Sequence, residues 1–444
     1  MKQIIIIAPH FPPSNLAGVH RSRLFAMHLP KLGWKVKILS VDPIYYRENR
    51  DSEIEALVPK ELEVIRTKAF PRRFTRLFGI GDIGIRSLWW HYRALKALIK
   101  KEKIDLIYLS IPPNYSAILG PMIYRKFSVP YALDYQDPWI QAGVLNHMPR
   151  IQLWKKYFTK WMHEPVAFSK AWGSARLAKI LEPIALRHVS LITGVAPSYY
   201  EGVLERYPWL EKVPCAAMPI GAERADFDYL DRNPRAPYLF DSTDGKVHIV
   251  YAGAMLPKAY STLEAFFQAL VLLKKKEVPF ISKLRFHFIG TGKVPTDPKS
   301  FLIKPYIMKY GLEGMVFEYP ARIPYLDVLN HLKSSTVVLI LGSSESHYTP
   351  SKLFQAVLSQ RPILALLHSA STAVKILSEA NTGHVVCFNE EKSVDACIEE
   401  IAKRIESVVN DEYHREKINW DAFYAYSAEA VTQQLSEAFE KVLR

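Results

Sequence analysis

Apolar runs of strand length alternate with stretches of helical period along most of this chain, a rhythm that predicts an α/β protein with parallel sheets. Gln3 to Ala8 is apolar on both faces, as a strand covered by helices on either side must be. A loop, PHFPPSNLAG, follows. Val19 to Leu32 repeats at helical spacing, Gly33 fits the position just past a helix end, and Lys35 to Val41 resumes as a strand, so the two strands pair in parallel. The pattern returns with strands at Leu62 to Thr67, Asp105 to Ser110, Tyr131 to Asp134 and Leu191 to Val195. Helices are predicted at Ser87 to Lys101, Tyr115 to Lys126, about Ser169 to His188, and from Ala196-Pro197-Ser198 onward.

Between about 222 and 245 periodicity lapses while Pro, Asp and Arg accumulate, which predicts a linker. From Val247 the alternation restarts: strand Val247 to Tyr251, helix Ser261 to Lys275, strand Leu284 to Ile289, a Gly290-Thr291-Gly292 turn, strand Met315 to Glu318, helix Tyr325 to Lys333 and strand Val337 to Leu341. In HYTPSKLFQAVLSQRPILAL, 347–366, Thr349 suits an N-cap and Pro350 the first helical position, and Ile363 to Leu367 reads as a buried strand. Free amides at that helix start, with Lys352 beside them, suit an anion. The expected architecture is two Rossmann-like, doubly wound domains, 1–222 and 246–415, joined by a linker at 223–245 and followed by a C-terminal segment, 416–444. The active cleft is expected between the domains, because open parallel sheets bind ligands beyond their strand carboxyl ends.

Composition supports real cores: 444 residues, 49% apolar and 23% charged. Cys215, Cys387 and Cys397 lie far apart without metal-ligand spacing, so no disulfide framework and no metal site is expected, and a reducing cytoplasm is the expected setting. The apolar start is too short for a signal-peptide core, and no run approaches the roughly 20 residues of a membrane-spanning helix. Charge is unevenly divided. Residues 1–222 hold 32 Lys and Arg against 17 Asp and Glu, whereas 223–444 hold 26 against 27. Within the basic half, FPRRFTRLF (70–78), SLWWHYRALKALIKK (87–101) and LWKKYFTKWMH (153–163) interleave cations with aromatics. That composition suits an anionic membrane surface, although Trp89, Trp90, Phe158 and Trp161 could equally pack inward. No nucleic-acid-binding pattern accompanies the charge, and no nucleic-acid partner is expected.

Taken in order, APHFPPSNLAGVHRSRLFAMHLPKLGWKVKILS, VPYALDYQDPW, VPCAAMPIGAERADF, VYAGAMLPKAYS, FIGTGK and PARIPYLDVLNHL resemble the landmarks of the GT-B glycosyltransferases, specifically the retaining family 4 group. The resemblance implies transfer of a sugar from a nucleotide-sugar donor to a polysaccharide or lipid-linked acceptor. It implies no cofactor and no metal; together with the basic half it fits a cytoplasmic protein with a peripheral place on the inner face of the cell membrane. It also implies that the final helix, about Glu429 to Leu443, crosses back to the first domain. Carried over by position, Gly18, Arg21, Lys258, Arg322, Ser351, Lys352 and Gln355 are the donor-binding candidates. Asp137, Gln136 and His347 are the catalytic ones. Of Arg21 and Arg23, two apart on one helix, only one can face a ligand. Asp137 in its Asp-Pro-Trp setting suits either an acceptor hydroxyl or a turn in which the carboxylate caps amides. His10 lies beside the first loop, where contact with donor or acceptor and simple packing are both open.

The sequence departs from the family pattern where glutamate, seven residues, glutamate is usual: His347 and Gln355 stand there. Ala254 or Met255 replaces the arginine that usually precedes the phosphate lysine, and Ile220 replaces an asparagine. A nucleotide-sugar-binding relative with weak or no turnover is therefore the alternative reading.

Overall fold

Ile4 to Ile7 are wholly buried because the strand they form, β1 (Lys2–Ile7), lies inside a seven-stranded parallel sheet with helices on both faces. The computed structural model describes residues 1–443 apart from 49, 76–79, 141–164, 293–296, 346–349 and 411–416, and the side chains of 165–175 and 257 also fall outside the description. The sheet adds β2 (Trp34–Val41), β3 (Glu63–Thr67), β4 (Leu106–Ile111), β5 (Tyr131–Tyr135), β6 (Leu191–Gly194) and β7 (Cys215–Ala217), in the order β3-β2-β1-β4-β5-β6-β7. Winding therefore reverses between β1 and β4. In register, Ile5 faces Lys37 on one side and Ile107 on the other.

This sheet belongs to a first compact unit made of Met1–Arg50, Val58–Ile220 and Val431–Arg444. Its helix Ile83–Lys101 starts before the Ser87 that periodicity predicts, because the Asp82 carboxylate accepts the Ile85 N–H at 3.0 Å and caps the first turn. The segment expected to be helical from Tyr115 opens as a 3₁₀ turn, Asn114–Ile118, before the helix Leu119–Phe127. The helix Ala428–Val442 sends Val431, Leu435 and Phe439 into a cluster with Ile4, Ile6, Phe25 and Trp34. Trp34 Nε1–H donates to Ser436 Oγ at 2.8 Å and Lys2 pairs with Glu440, so the apolar face of this helix is anchored at both rims.

The second unit comprises Asp51–Leu57 and Gly221–Ala430. Its sheet orders β8 (Val247–Ala252), β9 (Leu284–Ile289), β10 (Val316–Tyr319), β11 (Val337–Leu341), β12 (Ile363–His368) and β13 (His384–Phe388) as β10-β9-β8-β11-β12-β13, all parallel, reversing between β8 and β11.

Two sequence readings are corrected here. The stretch expected to be a linker forms the helix Arg224–Arg232, with Glu223 accepting the Ala225 N–H at 3.1 Å; Phe227 and Leu230, three apart on one face, are buried in the core. Phe240, farther along, stacks on His248 and His287 at 4.6 and 4.7 Å. Residues 51–57, expected to belong with the first half, instead contribute Ile54 and Leu57 to this core, while Asp51 Oδ2 accepts the Tyr325 N–H at 2.6 Å.

Candidate functional site

The strand-order reversal in the second unit puts the carboxyl ends of β8 and β11 side by side, and five of the donor candidates, Lys258, Arg322, Ser351, Lys352 and Gln355, belong to this unit. Gly253, just past β8, has φ +130°, a conformation side-chain-bearing residues rarely adopt, and its N–H donates to Ile289 O at 2.9 Å. A Cβ there would lie 3.2 Å from Lys352 Nζ, so the missing side chain leaves room for that amine. Lys352 opens the helix Lys352–Leu358. Its Nζ is enclosed, has no hydrogen-bond partner among the described residues, and lies 3.5 Å from the centroid of the Tyr251 ring. Burial pushes its pKa down to about 7. A buried amine held only by an aromatic face lacks the anion that would justify its burial.

The helix itself differs from expectation. Thr349 lies outside the described residues, Pro350 precedes the helix, and Ser351 is the N-cap without a side-chain bond. Seven residues make a weak dipole, so the Lys352 amine, rather than the free helix amides, is the feature at this end. Leu353, Phe354, Val357 and Leu358 are buried as the spacing requires, and Ser351 is exposed. Gln355 is half-buried, its carbonyl accepting the Ser359 N–H at 2.9 Å.

Lys258 sits in the turn Pro257–Ala259, where its exposed Nζ meets Glu345 Oε1 at 2.6 Å. The expected phosphate contact would therefore have to displace a carboxylate. Arg322 is half-buried beside Gly290, the turn after β9; a Cβ on that glycine would lie 3.9 Å from Arg322 Cγ. His347 lies outside the described residues. No group of three or more His, Cys, Asp or Glu among the described residues is placed to hold a metal ion.

The first unit has its own cluster beyond β1, β4 and β5. Gly18 packs so closely on Gln136 that a Cβ would lie 2.6 Å from Oε1, and Gln136 Nε2–H donates to Ser110 Oγ at 2.5 Å. Asp137 follows, exposed, its carboxylate accepting no hydrogen bond from a described residue; the surrounding protein raises its pKa. The amide-capping turn is thus not what holds it. Arg21 is corrected outright: it is wholly buried, its Nε and Nη2 grip Asp134 at 2.8 and 2.9 Å, and Nη1 donates to Met218 O and Pro219 O at 2.7 and 2.8 Å. With every nitrogen engaged it ties the first helix to β5 and to the strand end after β7, and Arg23 is buried as well.

Sequence reasoning missed the Lys352–Tyr251–Gly253 contact and the Lys258–Glu345 pair. Gly253 inside VYAGAM was the available signal, since a glycine immediately after a buried strand marks close approach.

No family model matches this chain, and no curated protein matches it. Solved structures do. The α,α-trehalose-phosphate synthase from Burkholderia xenovorans, described as UDP-forming, shares 12% identity over 100% of both chains at TM-score 0.61. Sucrose-phosphate synthase from Thermosynechococcus elongatus shares 14% over 100% of this chain and 99% of its own, at TM-score 0.59. The chain has the GT-B fold. A third structure with the GT-B architecture, Anabaena HepE in complex with UDP-glucose, shares 12% over 99% of this chain and 100% of its own, at TM-score 0.58. In GT-B terms the β1–β7 sheet is the first Rossmann-like domain and the β8–β13 sheet the second, so the Lys352 cluster sits at the strand-order reversal of the second.

Proposed function

We propose that this chain is a glycosyltransferase that takes a sugar from a nucleotide-sugar donor and passes it to a glycan or lipid-linked acceptor. The enclosed, unpartnered Lys352 amine at the β8 end carries the reading. As the glycosyl-phosphate bond breaks, negative charge grows on the departing diphosphate, and a cation already desolvated beside it stabilises that charge more strongly than one in water. Lys258, once freed from Glu345, and the Arg322 loop are the supporting donor contacts. The resemblance to family 4 supports a retaining, metal-independent course. Named relatives in fold that form or bind UDP support a uridine diphosphate donor.

Screening nucleotide sugars for thermal stabilisation of the full chain tests this, because only a ligand of the native state raises its apparent stability. A UDP-sugar is expected to stabilise wild type and not Lys352→Met; no stabilisation by any nucleotide sugar would overturn the reading. The second reading, binding without turnover, is favoured by Gln355 where a carboxylate is usual. Stabilisation without nucleotide release would decide for it.

We also propose that the acceptor is met at an anionic membrane surface. Phe70, Phe74 and Trp89 are 50%, 55% and 51% exposed, with Arg73 over the Phe74 ring at 4.8 Å and Arg93 over the Trp89 ring at 4.7 Å. Trp90 packs edge-on to Phe70 at 4.4 Å. Outward aromatics paired with arginine suit the headgroup layer. Phe158, Trp161 and the rest of 153–163 lie outside the described residues.

A further inference from the structure

The donor reading uses only the carboxyl ends of the strands in the second sheet. At their amino ends, where β11 and β12 begin, the second unit holds a cavity of about 700 Å³, within the roughly 300–1,000 Å³ range of small-molecule pockets. Ser335 and Thr336 stand just before β11, and Arg361 and Pro362 just before β12. Thr336 also ties this end of the sheet to β8: its N–H donates to His248 O at 2.8 Å and its Oγ1 accepts the His248 N–H at 3.1 Å. The five residues of β11, at about 3.3 Å each, put roughly 16 Å of strand between the cavity and the carboxyl ends where Lys352 sits.

The charges on its lining are already engaged. Lys333 pairs with Asp231; Arg235 reaches Glu53 at 2.8 Å and Asp327 at 3.0 Å; Arg361 Nε–H donates to Lys333 O at 2.6 Å. An anionic ligand would have to break into these bonds to be held. The uncharged groups are the ones without partners. Asn330 is only 7% exposed, yet its carboxamide makes no hydrogen bond with a described residue, and burying such a group unpaired costs free energy. The carboxamide of Gln360 and the hydroxyls of Ser242 and Ser334 likewise have no partner among the described residues. Gln360 moreover sits at φ +54°, just past the helix Lys352–Leu358, where glycine is the usual residue. The turn alone does not call for its side chain.

We propose that this cavity is a binding site for a short neutral saccharide, separate from the donor site. A carboxamide both donates and accepts, as a sugar hydroxyl does, so Asn330 and Gln360 match pairs of neighbouring hydroxyls, with Ser242 and Ser334 beside them. Leu230, Val408 and Val409 supply an apolar wall for the C–H face of a pyranose. A neutral ligand leaves the ion pairs intact, whereas a sugar phosphate or a nucleotide needs a cation, and each one here is engaged. The site goes beyond the donor reading and does not depend on it, because binding here requires neither a nucleotide nor turnover.

Saturation-transfer NMR on the full chain tests this, with glucose, galactose, mannose, N-acetylglucosamine and maltose as probes and glycerol as the comparison. At least one of the sugars is expected to take up saturation from the wild-type protein, and glycerol is not. Asn330→Leu removes a buried amide that has no partner, so it is expected to keep or raise the denaturant midpoint while weakening saccharide binding about tenfold. Gln360→Gly, which relaxes the turn, is the second variant and is expected to weaken binding to a similar degree. Lys352→Met is expected to bind the sugar as wild type does. No signal from any of these sugars, an equal signal from glycerol, or wild-type binding in both cavity variants would overturn the proposal. Loss of the signal in Lys352→Met would overturn it as well, since the sugar would then lie at the donor site.

Discussion

A single amine, Lys352 Nζ, separates what this chain needs to fold from what it needs to bind. Its folded pKa of about 7 lies below the ordinary lysine value of 10.5, so above pH 7 the unfolded chain holds a proton that the native one has released. Stability of the empty protein is therefore expected to rise with pH between those values, and Lys352→Met to abolish that slope in urea titrations. An anion against the amine favours its charged form. UDP binding above pH 7 is expected to take up a proton and to weaken as pH rises, measurable by calorimetry in buffers of different ionisation enthalpy. Arg21 is the opposite case. Arg21→Met leaves Asp134 buried without a cation, beside the Thr193 hydroxyl at 2.8 Å and the Tyr108 hydroxyl, and a loss of roughly 3–5 kcal/mol in unfolding free energy is expected. Helical spacing led to Arg21 being read as a ligand contact. It could not reveal a carboxylate 113 positions away, which only the assembled sheet brings within reach. His10 was left undecided for the same reason, because its partner Glu48, 2.6 Å from Nδ1, lies 38 positions on.

At the scale of elements, continuous apolar strands announced themselves: β1, β9 and β11 lie within a residue of where the pattern put them, since burial on both faces leaves few polar interruptions. Caps and short elements were harder. Asp82 extends its helix by four residues through one hydrogen bond, and the helix Arg224–Arg232 hides its apolar pair among charges that read as a linker. The strand β13 and the helices Thr372–Glu379 and Ile398–Asn410 were passed over, although HVVCF has strand composition. The turn after β8 offers a test of how strictly one element is specified. Gly253→Ala must place a side chain at φ +130° against Lys352, so a destabilisation of about 1–3 kcal/mol together with weaker UDP stabilisation is expected. Denaturant midpoints alongside nucleotide titrations would read both.

For the whole molecule, the uneven charge is the property most open to experiment. Phe70, Phe74 and Trp89 emerge beside arginines in the half that holds the entire positive excess, and each Lys or Arg near an anionic leaflet contributes about 1 kcal/mol. Arg72→Gln with Arg73→Gln is expected to release the protein from phosphatidylserine vesicles in a sedimentation assay, with wild type released likewise by high salt. Undiminished sedimentation of the double variant would remove this patch as the docking face. The division into two α/β halves was legible because the βα rhythm stops and restarts. The exchange of 51–57 was not, and the place of 431–444 in the first unit entered only through the family resemblance, because no local pattern marks either segment.

That exchange sets a timetable for synthesis. The ribosome delivers β1 to β7 and then some 210 further residues before it delivers Val431, Leu435 and Phe439, which cover Ile4 and Ile6. Until then that face of the earliest-made sheet is covered only in part, by Phe25, Ala26 and Leu29, a nascent chain with a greasy flank for chaperones to shelter. A stop codon after Ala430 is accordingly expected to yield aggregates rather than a weakened enzyme.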